Sequence, residues 1–185
     1  MLFRSGVPVI FPQFNERGPL PRHGLVRSRD WQPVKSVVRS EVAIGVLRLT
    51  DDAATRTHWN HGFETELTVA VTGQTLEVEL VVTNTGETSF EFTAALHTYL
   101  RCNELLKAQV EGLQGHDYED FLLKQPGQQW GDVLTFVGAV DRIYHGVQQP
   151  LTLRELGRRT QISMHGDRKS TRLNSSHEWI SRMPS

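Results

Sequence analysis

The stretch Phe63-Glu64-Thr65-Glu66-Leu67-Thr68-Val69-Ala70-Val71-Thr72-Gly73-Gln74-Thr75-Leu76-Glu77-Val78-Glu79-Leu80-Val81-Val82 decides the fold class. Phe63, Thr65, Leu67, Val69 and Val71 fall on one face of an extended chain, and Glu64, Glu66 and Thr68 on the other. After Thr72-Gly73-Gln74-Thr75, the residues Leu76, Val78, Leu80 and Val82 alternate with Glu77 and Glu79. A period of two on both sides of a glycine-containing turn predicts a β-hairpin with one solvated face.

The same period extends outward. From Val34 the chain keeps strand periodicity, and Val42, Ile44 and Val46 alternate with Ala43, Gly45 and Leu47, so both faces there are partly apolar. Asn84-Thr85-Gly86-Glu87 predicts the next turn. A strand is expected from about residue 89 to 102, with Phe90, Phe92, Ala94, Leu96 and Leu100 on one side and Thr93, Ala95, His97, Tyr99 and Arg101 on the other. Later strands are expected at 134–140, 151–154 and 160–164. With no long amphipathic helix and many short strands, the pattern predicts an all-β sandwich. Upstream, Gly6, Pro8 and Pro12 suit an edge strand or extended segment. Residues 15–29, rich in Gly, Pro and Arg, predict a long ordered loop of the kind that carries function.

Composition narrows the classes. Among 185 residues, 38% are hydrophobic and 22% charged, as in a globular protein, and a formal net charge of −1 offers no general attraction to nucleic acid or anionic membrane. The single cysteine, Cys102, excludes an internal disulfide and a cysteine-based zinc cage. It fits a cytoplasmic setting, as does the lack of an apolar run of signal-peptide length near the N-terminus.

Several side chains are candidates for chemistry. His97 shares its strand face with Thr93, Tyr99 and Arg101, and an imidazole exchanges protons near neutral pH, so this face is expected to meet something wetter than a core. The loop Pro21-Arg22-His23-Gly24-Leu25-Val26-Arg27 gathers Arg22, His23 and Arg27, a set able to bind a small anion, although spacing alone favours a solvated basic surface. Arg4 joins them if the segment folds back. Asp141 is placed at the end of a strand, able to orient a hydroxyl or to pair with Arg142 or a backbone amide. His58 and His61 lack a third ligand, so no metal site is expected there. Trp31, Trp59 and Trp130 read as packing residues, and Cys102 as a small buried one.

Taken in order, the motifs carry a resemblance. Arg4-Ser5-Gly6-Val7-Pro8-Val9-Ile10-Phe11-Pro12-Gln13-Phe14 and Leu20-Pro21-Arg22-His23-Gly24-Leu25-Val26-Arg27 are followed by Ala95-Leu96-His97-Thr98-Tyr99-Leu100. Then come Val110-Glu111-Gly112-Leu113 with Tyr118-Glu119-Asp120, and Val140-Asp141-Arg142-Ile143-Tyr144. The set resembles the hexose-6-phosphate mutarotases, the glucose-6-phosphate 1-epimerases of the aldose 1-epimerase superfamily, over about residues 3 to 167. The resemblance implies a galactose mutarotase-like β-sandwich and interconversion of the α and β anomers of glucose 6-phosphate or a related hexose 6-phosphate. It implies no metal or organic cofactor.

By position, the resemblance makes His97 the catalytic acid and His23 a second active-site histidine. Arg4 and Arg27 would hold the phosphate, and Asp141 would contact the sugar, all converging on one pocket. The family's base is a glutamate on a late strand, beyond the matched region. The chain is therefore expected to be truncated at both ends, a partial domain over residues 1–168, and inactive or nearly so by itself. Residues 169–185, including Lys169-Ser170-Thr171-Arg172-Leu173, lack strand period and resemble read-through of foreign sequence, with no structural role expected. The expected partner is a small sugar phosphate, bound by a monomer. Two other readings stay open: a non-catalytic carbohydrate-binding β-sandwich, and an epimerase of unphosphorylated sugars.

Overall fold

A computed structural model describes residues 6–166, together with the backbone of 170–174 and 178–181. In chain order the elements are β1 (Val9–Ile10), β2 (Gln32–Arg39), β3 (Val42–Thr50), helix α1 (Ala53–His58), β4 (Phe63–Thr72), β5 (Thr75–Asn84), β6 (Ala95–Leu96), β7 (Gln109–Glu111) and β8 (Asp117–Asp120). They continue with β9 (Gln125–Gln128), β10 (Val133–Thr135), β11 (Asp141–His145), β12 (Leu151–Glu155), β13 (Arg158–Ile162), β14 (Ser170–Asn174) and β15 (Glu178–Ser181). The predicted all-β class is observed, with every strand ladder antiparallel. No helix among the described residues is long and apolar enough to cross a membrane.

The chain forms two compact units. One consists of Phe11–Phe92 and holds the sheet β2-β3-β4-β5. Its central hairpin closes with Thr72 opposite Thr75, and Gly73 takes φ +54°, a left-handed value that costs glycine little. The alternation is as predicted: Phe63, Thr65 and Leu67 are buried, and burial fades through Val69 to an exposed Val71 near the turn. Phe11, Trp59, Phe63, Phe90 and Phe92 pack edge-on or tilted, with centroids 4.7–6.1 Å apart. The short helix α1 begins in a capping box: Asp52 accepts from the Thr55 amide at 2.7 Å and Thr55 Oγ1 accepts from the Asp52 amide at 2.8 Å.

The other unit contains β1 and the chain from Thr93 onward. It holds the pair β1-β6, the sheet β10-β7-β12-β13 and the sheet β15-β14-β11-β8-β9. Its core is Ala108, Val110, Leu113, Leu134, Phe136, Val140, Tyr144, Val147, Leu151 and Leu153.

Three expectations are corrected here. Only Ala95 and Leu96 of the long strand expected over 89–102 join a ladder, because their partner β1 is two residues long. The strand expected over 134–140 is confined to β10, which ends at Thr135. The chain leaves its sheet after Thr135, exposes Val137 at 88% and passes Gly138 before joining a different sheet at Asp141, so Asp141 opens a strand and does not close one. The backbone of 170–174, expected to take no part in the fold, pairs with β11 from Asp141↔Asn174 to His145↔Ser170, supplying hydrogen-bond partners to that strand's second edge.

Candidate functional site

The loop predicted over 15–29 is ordered by its own hydrogen bonds. Gln13, buried to 4% exposure, donates from Nε2 to the carbonyls of Asn15 (3.1 Å) and Leu20 (2.9 Å), and its Oε1 accepts from the Leu20 amide at 2.9 Å. A Cβ on Gly18 would lie 2.4 Å from that oxygen, so glycine there makes room for the carboxamide. The Gly24 amide donates to the Pro21 carbonyl at 2.9 Å, closing a tight turn whose third residue, His23, takes φ +69°. A non-glycine residue in this conformation is held by its surroundings against an intrinsic cost of about 1–2 kcal/mol.

The surroundings are visible. The His23 amide donates to the Asn15 carbonyl at 3.1 Å, and the Asn15 amide donates to His23 Nδ1 at 3.3 Å. The ring lies 5.6 Å from that of Phe14 and is buried. The Leu25 amide donates to the Phe11 carbonyl at 2.8 Å, and Leu25 and Val26 anchor the loop in the apolar interior. Arg22 and Arg27 are exposed, with Arg22 Nε donating to Asn15 Oδ1 at 3.1 Å. Arg29 is committed elsewhere, to Asp52 at 2.5 Å. The structure therefore brings His23, Arg22 and Arg27 onto one ordered loop. Arg4 lies outside the described residues.

In the other unit, His97 immediately follows β6. Its amide donates to the Pro8 carbonyl at 2.9 Å and the Tyr99 amide to the Gly6 carbonyl at 3.0 Å, so the β1 segment fixes the backbone around it. The imidazole is 3% exposed, and its ring meets that of Tyr99 edge-on at 5.2 Å. Along the face expected to be polar, Ala95 beside it is 1% exposed, Thr93 and Tyr99 are half-buried and Arg101 is exposed. The ladder here is only two residues long, so strand alternation does not extend over the whole segment.

Asp141 is half-buried at the start of β11, and its carbonyl accepts from the Phe121 amide at 2.8 Å. Arg142, weighed as its partner, pairs with Asp120 at 2.9 Å. Burial by itself would raise the Asp120 carboxyl. The Leu123 amide, Arg142 and the Leu122 amide outweigh it and hold the acid below its ordinary range. The Arg142 guanidinium also lies 4.3 Å over the Tyr118 ring. His97 follows β6 of the two-stranded sheet, whereas Asp141 opens β11 of the five-stranded one.

Other candidates resolve simply. Among the described residues no group of three His, Cys, Asp or Glu is placed to hold a metal. His61 packs on Trp59 (4.7 Å) and Phe90 (5.3 Å), while His58 ends α1 exposed. Trp59 packs as expected, but Trp130 is 79% exposed. Cys102 is half-buried, and burial with the nearby Glu155 pushes its thiol pKa up, away from reactivity. Sequence reasoning missed Gln13 and Asn15 as the braces of the loop. The signal was faint: a polar residue inside the apolar run 9–14, and an Asn, the residue type most tolerant of positive φ after glycine.

The all-β architecture of antiparallel sheets is that of the galactose mutarotase-like proteins. The aldose 1-epimerase family profile matches residues 3–178, and the chain belongs to that family. It is 32% identical over 154 residues to a candidate glucose-6-phosphate 1-epimerase of Cenchrus ciliaris, covering 76% of this chain and 46% of that protein. The chain thus spans about half the length of this curated relative. A candidate mutarotase of Salmonella typhimurium superposes with a TM-score of 0.82 at 21% identity, over 98% of this chain and 66% of that one. A galactose mutarotase-like protein of Clostridium acetobutylicum gives 0.70 at 12% identity, over 97% and 68%.

Proposed function

We propose that the whole protein interconverts the α and β anomers of a hexose 6-phosphate, glucose 6-phosphate being the reference substrate. The observation that carries this is His97: within a chain of the aldose 1-epimerase family, a buried imidazole is held at the end of a backbone clamp. Burial excludes water from its proton transfers and favours reaction with an enclosed sugar.

In this reading, protonated His97 gives its proton to the ring oxygen while a carboxylate base removes the proton of the anomeric hydroxyl. The C1–O5 bond breaks and the C1 carbonyl forms. Rotation about C1–C2 presents the other carbonyl face. Reverse transfers close the ring, return both protons and leave the other anomer. No electrons or groups are exchanged with a cofactor. The base is expected from the part of the whole protein outside the matched region, which is why the chain by itself is expected to be nearly inactive. Arg27, with Arg4, would hold the phosphate, and His23 and Asp141 the sugar oxygens, so that remote binding orients C1. A cytoplasmic monomer with a diffusible substrate belongs to the same proposal.

The test is anomer exchange of glucose 6-phosphate followed by magnetisation-transfer NMR on the whole protein. Exchange well above the buffer rate is expected, falling at least a hundredfold in His97→Asn with little change in binding. Unchanged exchange in that variant would sink the assignment. Binding without exchange in the unsubstituted protein would favour a carbohydrate-binding module.

A further inference from the structure

We infer that His23 meets its ligand as a neutral imidazole carrying its proton on Nε2, set in that form by the backbone amide of Asn15, with Gln13 as the positioning residue that holds Asn15 in place. This rests on the reading that the loop takes a sugar phosphate, and it divides the labour of the two histidines.

A neutral imidazole has one donor and one acceptor nitrogen. The Asn15 amide is a donor and points at Nδ1 from 3.3 Å, so Nδ1 supplies the lone pair and Nε2 carries the hydrogen. A doubly protonated ring would set two N–H groups against each other. The contact is reciprocal, since the His23 amide donates to the Asn15 carbonyl at 3.1 Å. Asn15 reaches this geometry at φ +53°, and the same carbonyl accepts from Gln13 Nε2. The Gln13 carboxamide is engaged at both ends: both Nε2 protons go to carbonyls and Oε1 takes the Leu20 amide. A buried carboxamide holding three hydrogen bonds is costly to move, so it is a stiff brace.

The functional consequence is specific. With Nδ1 engaged by the Asn15 amide, the role left to the His23 ring is that of a hydrogen-bond donor through Nε2. With Nδ1 occupied and Nε2 protonated, it has no lone pair with which to take a substrate proton, so it is not the base of the proposed reaction.

The experiment is a long-range 1H–15N correlation spectrum of the imidazoles at about pH 8, above the ordinary histidine pKa of about 6.5. The His23 signals are identified by their loss in His23→Gln. The expected pattern is an unprotonated Nδ1 and a protonated Nε2 in one dominant tautomer. A protonated Nδ1, or averaged nitrogen shifts, overturns the inference. Asn15→Gly keeps the amide and the left-handed backbone and should leave the pattern unchanged; a changed pattern would assign the effect to the side chain and overturn the amide's role. Gln13→Ala should average the two tautomers. Gln13→Glu, which keeps the acceptor for Leu20 but loses both donors, reads the same effect if the alanine variant does not fold. An unchanged His23 pattern in a folded Gln13 variant removes Gln13 from the proposal. The expected pattern in a whole protein whose spectrum and anomer exchange ignore glucose 6-phosphate would keep the tautomer assignment and sink the functional reading instead.

Discussion

Arg142 Nε donates to the Asp120 carboxylate at 2.9 Å, and the same carboxylate's Oδ1 accepts the amides of Leu122 and Leu123 at 3.0 and 2.9 Å. One side chain thus ties the end of β8, the turn after it and β11 together. Asp120→Asn keeps the size but leaves a half-buried guanidinium without its counter-charge, and is expected to cost about 3 kcal/mol in urea unfolding.

The pH dependence of that pair has a definite sign. Its folded-state pKa is depressed, so the stabilisation is fully present above the unfolded value near 3.9 and is lost as pH falls through the lower folded value. Wild type and Asp120→Asn should therefore differ most at neutral pH and converge in strong acid. A gap that persists undiminished to about pH 2 in acid unfolding followed by circular dichroism would show that the carboxylate charge is not its source.

Tyr144 is fully buried, and its hydroxyl donates to Gln129 Oε1 at 3.0 Å. Burial raises the phenol, and Arg142 only partly offsets this, so the group stays protonated. Tyr144→Phe leaves the buried amide oxygen short of a donor, at an expected cost of about 1–2 kcal/mol in thermal or urea unfolding. A neutral result would mean that Gln129 finds another partner.

Two glycines with left-handed backbone should respond differently to alanine. At Gly24, φ +74°, a Cβ would lie 2.2 Å from the Phe11 carbonyl oxygen. At Gly157, also φ +74°, it would meet open space. Gly157→Ala should cost only the conformational strain of about 1 kcal/mol, and Gly24→Ala about 3 kcal/mol or more. Equal unfolding midpoints for the two variants would contradict the close approach.

Arg27 is exposed on the ordered loop, where a phosphate would reach it. Arg27→Gln is expected to weaken glucose 6-phosphate binding by the whole protein about tenfold to a hundredfold while leaving any binding of unphosphorylated glucose unchanged. Calorimetry with both sugars makes the comparison. Equal losses for both would point to a structural role for the guanidinium, and no loss for either would remove it from the site.

The strands with strong alternation were legible from the residues alone. In 63–82 the side-chain period and the Gly73 turn specify a hairpin whatever surrounds it, because a strand's two faces are written into successive residues. The loop's identity and its cations were equally plain, since Gly, Pro and Arg there leave no periodic core face. The surroundings of His97 were not legible. A two-residue ladder has no alternation to read, and burial at 3% is imposed by chain distant in sequence. Asp120 and Arg142 stand 22 residues apart, and only the β8–β11 register makes them partners. The choice of Asp120 over Asp141 as the partner of Arg142 follows from side-chain direction across that ladder, which local sequence does not encode. So it is with His23: its type and place are local facts, but which nitrogen holds the proton depends on the peptide group of Asn15, brought near by folding of the loop.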